Sequence, residues 1–364
     1  MPGVYLSYPF CAQKCSFCNF ASDVSSADLE SSYLSALTSE IGQHVWVWQP
    51  DTVYLGGGTP SRLAGRDLRR ILHNVPGRPW REATIEAAPG SLTPENIAAW
   101  LESGINRVSL GVQSCVDREL ARTGRKHNAA VVEADVAMLR SAGITNFNID
   151  LIAGLPGQTP SSWSASLDAI GNLQPLHVSV YMFEVDGDSR LGFEILQGGS
   201  RYSAAAVPDG ELMAEFYETA VERLRGMGIG RYEISNFARP GAESLHNLKY
   251  WQSDCYIGFG ADAHSFNHGV RWGNVESASE YVARWRSGRP VALESTPANP
   301  EEERFFLGLR LDRGVDTSPD DRVRHGKSIT RLEEAGLLSV DGSLLRLTDR
   351  GVLLSNEVFG EFIS

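Results

Sequence analysis

Cys11, Cys15 and Cys18 sit in the stretch YPFCAQKCSFCNF with the spacing C-x3-C-x2-C, and they are three of only 5 cysteines in 364 residues. Thiols crowded onto one glycine-poor loop suit metal or redox chemistry, because the thiolate is both a soft ligand and a nucleophile. Three readings compete. Structural zinc normally takes four protein ligands in paired spacings, whereas here Phe20 fills the next position in the rhythm and His44 is far along the chain. A redox dithiol needs C-x-x-C alone and leaves Cys11 without a task. A [4Fe–4S] cluster held by three cysteines uses all of them and leaves one iron open to an outside ligand. That third reading accounts for the whole pattern, including the missing fourth ligand.

Other polar residues recur where strands are expected to end. GGGTPS runs from Gly56 to Ser61, and its side-chain-free backbone allows close approach of a ligand. Glu86 lies in IEAAPG, Gln113 in LGVQS, Arg125 in TGRKH and Asp150 in NIDLIAGLPGQ. Each alone is more often a solvated loop residue; their repetition at one face of the barrel is what favours a ligand site. The fork of Arg125 matches a carboxylate. An open iron beside such a face suits S-adenosylmethionine (SAM), whose amino and carboxylate groups chelate iron and whose sulfonium is cleaved on one-electron reduction.

The elements that must position these residues alternate. VYLSY, DTVYLGGG, EATIEAAPG, RVSLGVQS, NFNIDLIAGLPGQ and HVSVYMFEV read as strands. Between them lie helical patterns, the first carrying Leu29, Tyr33, Leu34, Leu37, Ile41 and Val45 at helical spacing. About six β/α units imply a parallel sheet covered by helices, with the site at the C-terminal ends of the strands. Six units are fewer than the eight of a full barrel, so the expected fold is a partial, open (β/α)6 barrel in the α/β class. The expected domains are 1-225 for this core and 226-364 for a smaller C-terminal α+β region. That region ends in helix, hairpin with an Asp-Gly turn, and helix, the outline of a winged-helix-like module.

Apolar residues at 42% and charged residues at 21% describe an ordinary globular chain. The start MPGVYLSYPF lacks a basic stretch followed by an apolar run, and no segment approaches the length of a membrane span, so a cytoplasmic location is expected. A net charge of −12 argues against nucleic acid as a partner, including for the winged module.

Together C-x3-C-x2-C, with Phe17 before the last cysteine, and the glycine stretch resemble the radical SAM superfamily. The resemblance narrows with YLGGGTPS, RVSLGVQS, NIDLIAGLPGQT, YEISNFARPG, HNLKYW and GFGADAHSF. Together these are similar to the group that holds oxygen-independent coproporphyrinogen III oxidases and their relatives, the haem chaperones of the HemW type. What the resemblance implies is a [4Fe–4S] cluster on Cys11, Cys15 and Cys18. It also implies SAM contacts from Tyr5, Phe17, Gly57, Gly58, Thr59, Glu86, Gln113, Arg125 and Asp150. Ala88 departs from the Asn common in the family, which bears on a local loop contact. The oxidases resemble C-x3-C-x2-C-x-C, with a cysteine where this chain has Phe20. They also carry a longer N-terminal segment over the substrate and a second SAM, whereas ten residues precede Cys11 here. Both differences point to the chaperone branch.

HNLKYW (His246 to Trp251) resembles the H-N-x-x-Y-W stretch of that branch. By residue chemistry alone, a histidine among aromatics is more often a hydrogen-bonded core residue than a ligand. The resemblance makes His246 a candidate haem ligand, with His264 a lesser one. Cys115 and Cys255 are isolated, as packed free thiols commonly are, and carry no assigned role. The expected function is therefore haem binding and transfer to acceptor hemoproteins, with a respiratory chain as one destination and a dimer as one state. The alternative is oxidative decarboxylation of two propionates of coproporphyrinogen III through a 5′-deoxyadenosyl radical.

Overall fold

The computed structural model describes residues 1–19, 21–22, 24 and 26–363; Phe20, on which one sequence argument turns, lies outside the described residues. The core is a run of parallel strands with helices between them. β1 (Gly3–Tyr8) leads to α1 (Ala27–Gln43), β2 (Thr52–Gly57) to α2 (Gly65–His73), and β3 (Glu82–Ala87) to α3 (Pro94–Glu102). β4 (Arg107–Gln113) is followed by α4 (Asp117–Arg122) and α5 (Ala129–Ser141), β5 (Phe147–Ala153) by α6 (Pro160–Leu173), and β6 (His177–Met182) by α7 (Arg190–Leu196) and α8 (Gly210–Gly226). β1 to β6 pair in sequence order, all parallel. This is the partial (β/α)6 barrel read from the sequence.

The strands alternate at period two. Val53, Leu55, Ala83, Ile85, Val108, Leu110, Ile149, Leu151, Val178 and Val180 are buried in the apolar core that the helices cover. The residues between them, such as Ser109, Asp150 and Ser179, line a cavity on the other face. Helix starts are set by local chemistry: Thr93, Asn128, Thr159 and Asp209 each accept a hydrogen bond from a first-turn backbone N–H. α1 stops short of Val45, which the spacing had included. His44 leaves the helical region at φ −67, ψ 130, and Val45 is 79% exposed, while His44 and Trp46 pack edge-on at 4.7 Å between ring centroids.

Residues beyond α8 extend the same sheet on both sides. β7 (Gly230–Glu233) and β8 (Asn236–Ala238) form a hairpin whose second strand pairs antiparallel with β6. Past α9 (Leu245–Trp251), β9 (Tyr256–Phe259) lies parallel to β1 at the opposite edge. β10 (His264–Asn267), β11 (Val270–Gly273) and, past α10 (Ala278–Arg286), β12 (Thr296–Pro297) continue outward antiparallel. The sheet of twelve described strands runs β12-β11-β10-β9-β1-β2-β3-β4-β5-β6-β8-β7.

α11 (Pro300–Gly308) precedes a small second sheet. β13 (Val315–Asp316), α12 (Pro319–Glu334), β14 (Leu338–Asp341) and β15 (Leu344–Leu347) follow, then α13 (Asp349–Leu353) and α14 (Ser355–Gly360). The sheet order is β13-β15-β14, and Gly342 takes φ 59 in the Asp341-Gly342 turn, the backbone this hairpin turn requires. Phe305 of α11 and Phe362 stack at 4.6 Å, joining α11 to the C-terminal end of the chain. Among the described residues no helix is long and apolar enough to cross a membrane.

Candidate iron–sulfur and SAM site

The cysteine loop leaves the C-terminal end of β1 and is fastened on three sides. From β2, Gly58 N–H donates to Tyr8 O (2.8 Å) and Thr59 N–H to Phe10 O (3.0 Å). At Gly58 a Cβ would stand 2.7 Å from Phe10 O, so glycine is required there by contact with backbone. From the turn after α4, Thr123 O accepts Ser16 N–H (3.3 Å), and Gly124 O accepts Gln13 Nε2 (2.7 Å). From the segment after β6, Leu191 N–H donates to Ser16 O (2.8 Å), and Asn19 Nδ2 to Asp186 (2.6 Å).

These anchors bring polar groups to the thiols. Thr59 Oγ1 lies 3.5 Å from Cys11 Sγ, and Arg125 Nη1 lies 3.4 Å from Cys15 Sγ. Arg125 is oriented by a further hydrogen bond to Gly111 O, and its Nε is buried without a partner. All three cysteines are partly exposed and line the rim of one cavity of about 470 Å³, within the range of small-molecule sites.

Among the described residues no three His, Cys, Asp or Glu side chains gather around a point fit for one metal ion. Three thiols on the lining of one cavity suit a multi-iron cluster, whose irons take thiolate ligands.

Below the rim, two carboxyls face the cavity. Glu86 accepts from Tyr54 OH (2.9 Å) and Gly57 N–H (3.1 Å). Burial, then the charge of Asp150, pushes its carboxyl up to about 7, against the pull of those two bonds. Asp150 accepts from Asn148 Nδ2 (2.6 Å) and Ser109 Oγ (3.4 Å), and burial raises it above the usual carboxylate range. Gln113 closes β4 with φ 72, where the register to β5 shifts, and its Oε1 is buried without a partner. A non-glycine residue held in that backbone region, with an orphaned acceptor, is the kind of strain that gathers at ligand sites.

The structure thus brings Cys11, Cys15, Cys18, Phe17, Gly57, Gly58, Thr59, Glu86, Gln113, Arg125 and Asp150 to one cavity. Ala88, the departure from the family pattern, lines it too. Phe17 also packs on the cluster of Ile152, Leu155 and Phe183. Tyr5 is placed differently: it pairs with Tyr54 across β1 and β2 and stacks on it at 6.1 Å, away from the cavity lining. His246 is also elsewhere. It is fully buried, with Nδ1 2.9 Å from Thr52 Oγ1 and Nε2 2.9 Å from Tyr250 OH, so both ring nitrogens are engaged as in a core histidine. Burial lowers it to about 3. His264 is exposed on β10 and does not line the cavity. Burial pushes the Cys115 thiol up to about 12, the inert condition of a packed thiol, and Cys255 lies apart at the foot of β9.

Sequence reasoning by strand ends missed the inner wall. Tyr54, Arg107, Ser109, Asn148, His177 and Tyr181 line the cavity deeper along the strands. The signal was present as alternation: R-V-S (107 to 109), N-I-D (148 to 150) and H-V-S-V-Y (177 to 181) place polar residues at every second position. His177 is held neutral by burial, between Asn148 Oδ1 (2.7 Å) and Tyr232 OH (2.9 Å).

Residues 5–170 match the Radical SAM superfamily, and residues 296–354 match the HemN C-terminal domain. Among characterised proteins, the chain is 35% identical to the heme chaperone HemW of Bacillus subtilis, covering 100% of this chain and 99% of that one. It is 32% identical to the heme chaperone HemW of Lactococcus lactis, over 99% and 96% respectively. Among solved structures, coproporphyrinogen III oxidase (HemN) from Escherichia coli, a radical SAM enzyme, superposes with a TM-score of 0.85 at 21% identity, covering 99% of this chain and 89% of that chain.

Proposed function

We propose, on the premise that this chain belongs to the radical SAM superfamily and to its family of HemW haem chaperones, that it binds haem and transfers it to acceptor hemoproteins. With the superfamily come a [4Fe–4S] cluster and SAM. The observation that carries the placement of both is the convergence of three cysteines, one arginine and two buried carboxyls on a single cavity.

Cys11, Cys15 and Cys18 would hold three irons of the cluster. Gly57, Gly58 and Thr59 would offer backbone to the amino end of SAM. Glu86, and Asp150 beside it, would accept hydrogen bonds from its ammonium or ribose, and Arg125 would meet its carboxylate. When bound, the reduced cluster supplies an electron to the sulfonium. The chain's own part is to hold Arg125 beside Cys15 and to present Glu86 as an acceptor. Haem transfer to a respiratory hemoprotein, a cytoplasmic location and a dimeric state belong to the same proposal.

The oxidase reading shares the fold, and the likeness to HemN at 21% identity speaks to fold alone. An anaerobic incubation of reconstituted protein with SAM, a strong reductant and coproporphyrinogen III separates the two. The expected result is an unchanged tetrapyrrole, with added haem bound and passed to an apo-hemoprotein. Conversion to protoporphyrinogen IX would overturn it.

A further inference from the structure

HNLKYW, the stretch that suggests a haem ligand, is built into the wall behind the SAM pocket. The His246 ring stacks on Tyr54, with centroids 5.3 Å apart and an interplanar angle of 29°. Tyr5 stacks on the same ring at 6.1 Å and 19°. Gly56 makes room for this packing, since a Cβ there would come 3.0 Å from both the Tyr5 and the Tyr54 ring. Tyr54 is thereby confined, and its hydroxyl donates to Glu86 Oε1 at 2.9 Å while Gly57 N–H holds Oε2 at 3.1 Å. His246 itself cannot turn without breaking its bonds to Thr52 and Tyr250, and its backbone N–H is held by Glu82 at 2.9 Å.

We infer that His246 is a positioning residue of the SAM site, which fixes the Glu86 carboxylate through Tyr54, and that it does not ligate haem iron. This rests on the reading of Glu86 as a SAM contact. Tyr5, which the family resemblance counted as a SAM contact, acts in the same way, from behind Tyr54. The inference predicts a pH signature. Glu86 is faced by Asp150 from β5, by Tyr54 from β2, and by the hydroxyls of Tyr5, Tyr181 and Tyr250 from β1, β6 and α9. Of these, Asp150 raises Glu86, while the Tyr54 bond lowers it. Loss of that bond leaves the carboxyl protonated to higher pH, where it accepts hydrogen bonds less well.

The test uses the full chain with its cluster reconstituted anaerobically. SAM is titrated into wild type, Tyr54→Phe, His246→Ala and His246→Phe across the neutral range, and haem stoichiometry and visible spectrum are read in parallel. Tyr54→Phe and His246→Ala are expected to weaken SAM about tenfold at neutral pH and to move the pH midpoint of binding up by about one unit. His246→Phe keeps the ring against Tyr54 and is expected to stay near wild type in SAM binding. All three keep the haem spectrum of wild type.

Loss or alteration of bound haem in both His246 variants overturns the inference. So does an unmoved SAM midpoint in Tyr54→Phe, a variant that loses only a hydroxyl. A wild-type protein that binds no SAM sinks the functional reading itself, and the inference with it.

Discussion

Gly58 and Arg125 show how single residues commit the loop to its chemistry. A methyl group at Gly58 meets the Phe10 carbonyl and amide within 2.8 Å, and backbone cannot step aside as a side chain can. Gly58→Ala is therefore expected to push the cysteine loop off β2 and abolish the broad absorption near about 400 nm after reconstitution. Cys15→Ala removes a ligand directly and is expected to do the same; a surviving band in Cys15→Ala would refute the ligand assignment. His246 carries a separate signature in stability. Its ordinary value is 6.5 and burial lowers it to about 3 in the folded chain, so between these pH values the unfolded chain holds the extra proton. Stability then rises with pH across that window and is lost on acidification. Against a His246→Gln protein, wild type is expected to lose about 1.4 kcal/mol of relative stability between neutrality and about pH 5.5, measured by denaturant titration.

At the scale of elements, the start of α9 is held to the barrel by the Glu82 carboxylate. Glu82, the first residue of β3 and 3% exposed, accepts from His246 N–H, Leu245 N–H (3.0 Å) and Ser244 Oγ (3.4 Å) at the start of this helix. Those are the donors a helix start leaves unpaired, and a negative charge there is favourable. Lys249, also in α9, pairs with Asp51 at 2.7 Å with both side chains largely buried. Glu82→Ala would strand buried donors, and a loss of about 2–3 kcal/mol is expected, read as a lower urea midpoint at unchanged slope. Because α9 carries His246, the same variant is expected to weaken SAM binding. The strands and helices of the β/α run were legible because each is specified by its own periodicity. The end of α1 was less so: Val45 continues the apolar spacing, yet His44 and Trp46 find ring partners only once β9 brings Phe259 beside them.

For the whole molecule, the net charge of −12 sets the partners it can meet. Retention on duplex DNA relies on phosphate neutralisation and is expected to be absent at about 0.15 M salt, in a column or gel-shift experiment. Within the C-terminal region, Arg304 pairs with Asp321 at 2.5 Å and Phe305 stacks on Phe362. Residues after 226 supply strands to both edges of the sheet, which carries on past the β/α core on either side.

The sequence by itself determined the cysteine loop, the order of the β/α units, the glycine-rich end of β2 and the polar strand ends. All of these are written in spacings of a few residues, which local geometry converts directly into a face or a turn. Tertiary structure alone decided the use of His246. Its partners are Thr52, 194 positions away, and Tyr54, and no periodicity along the chain reports which ring a histidine will meet. The same holds for the deep wall of the cavity: alternation marks Arg107, Asn148 and His177 as facing one side, but only the packing of neighbouring strands side by side gathers that side into one cavity.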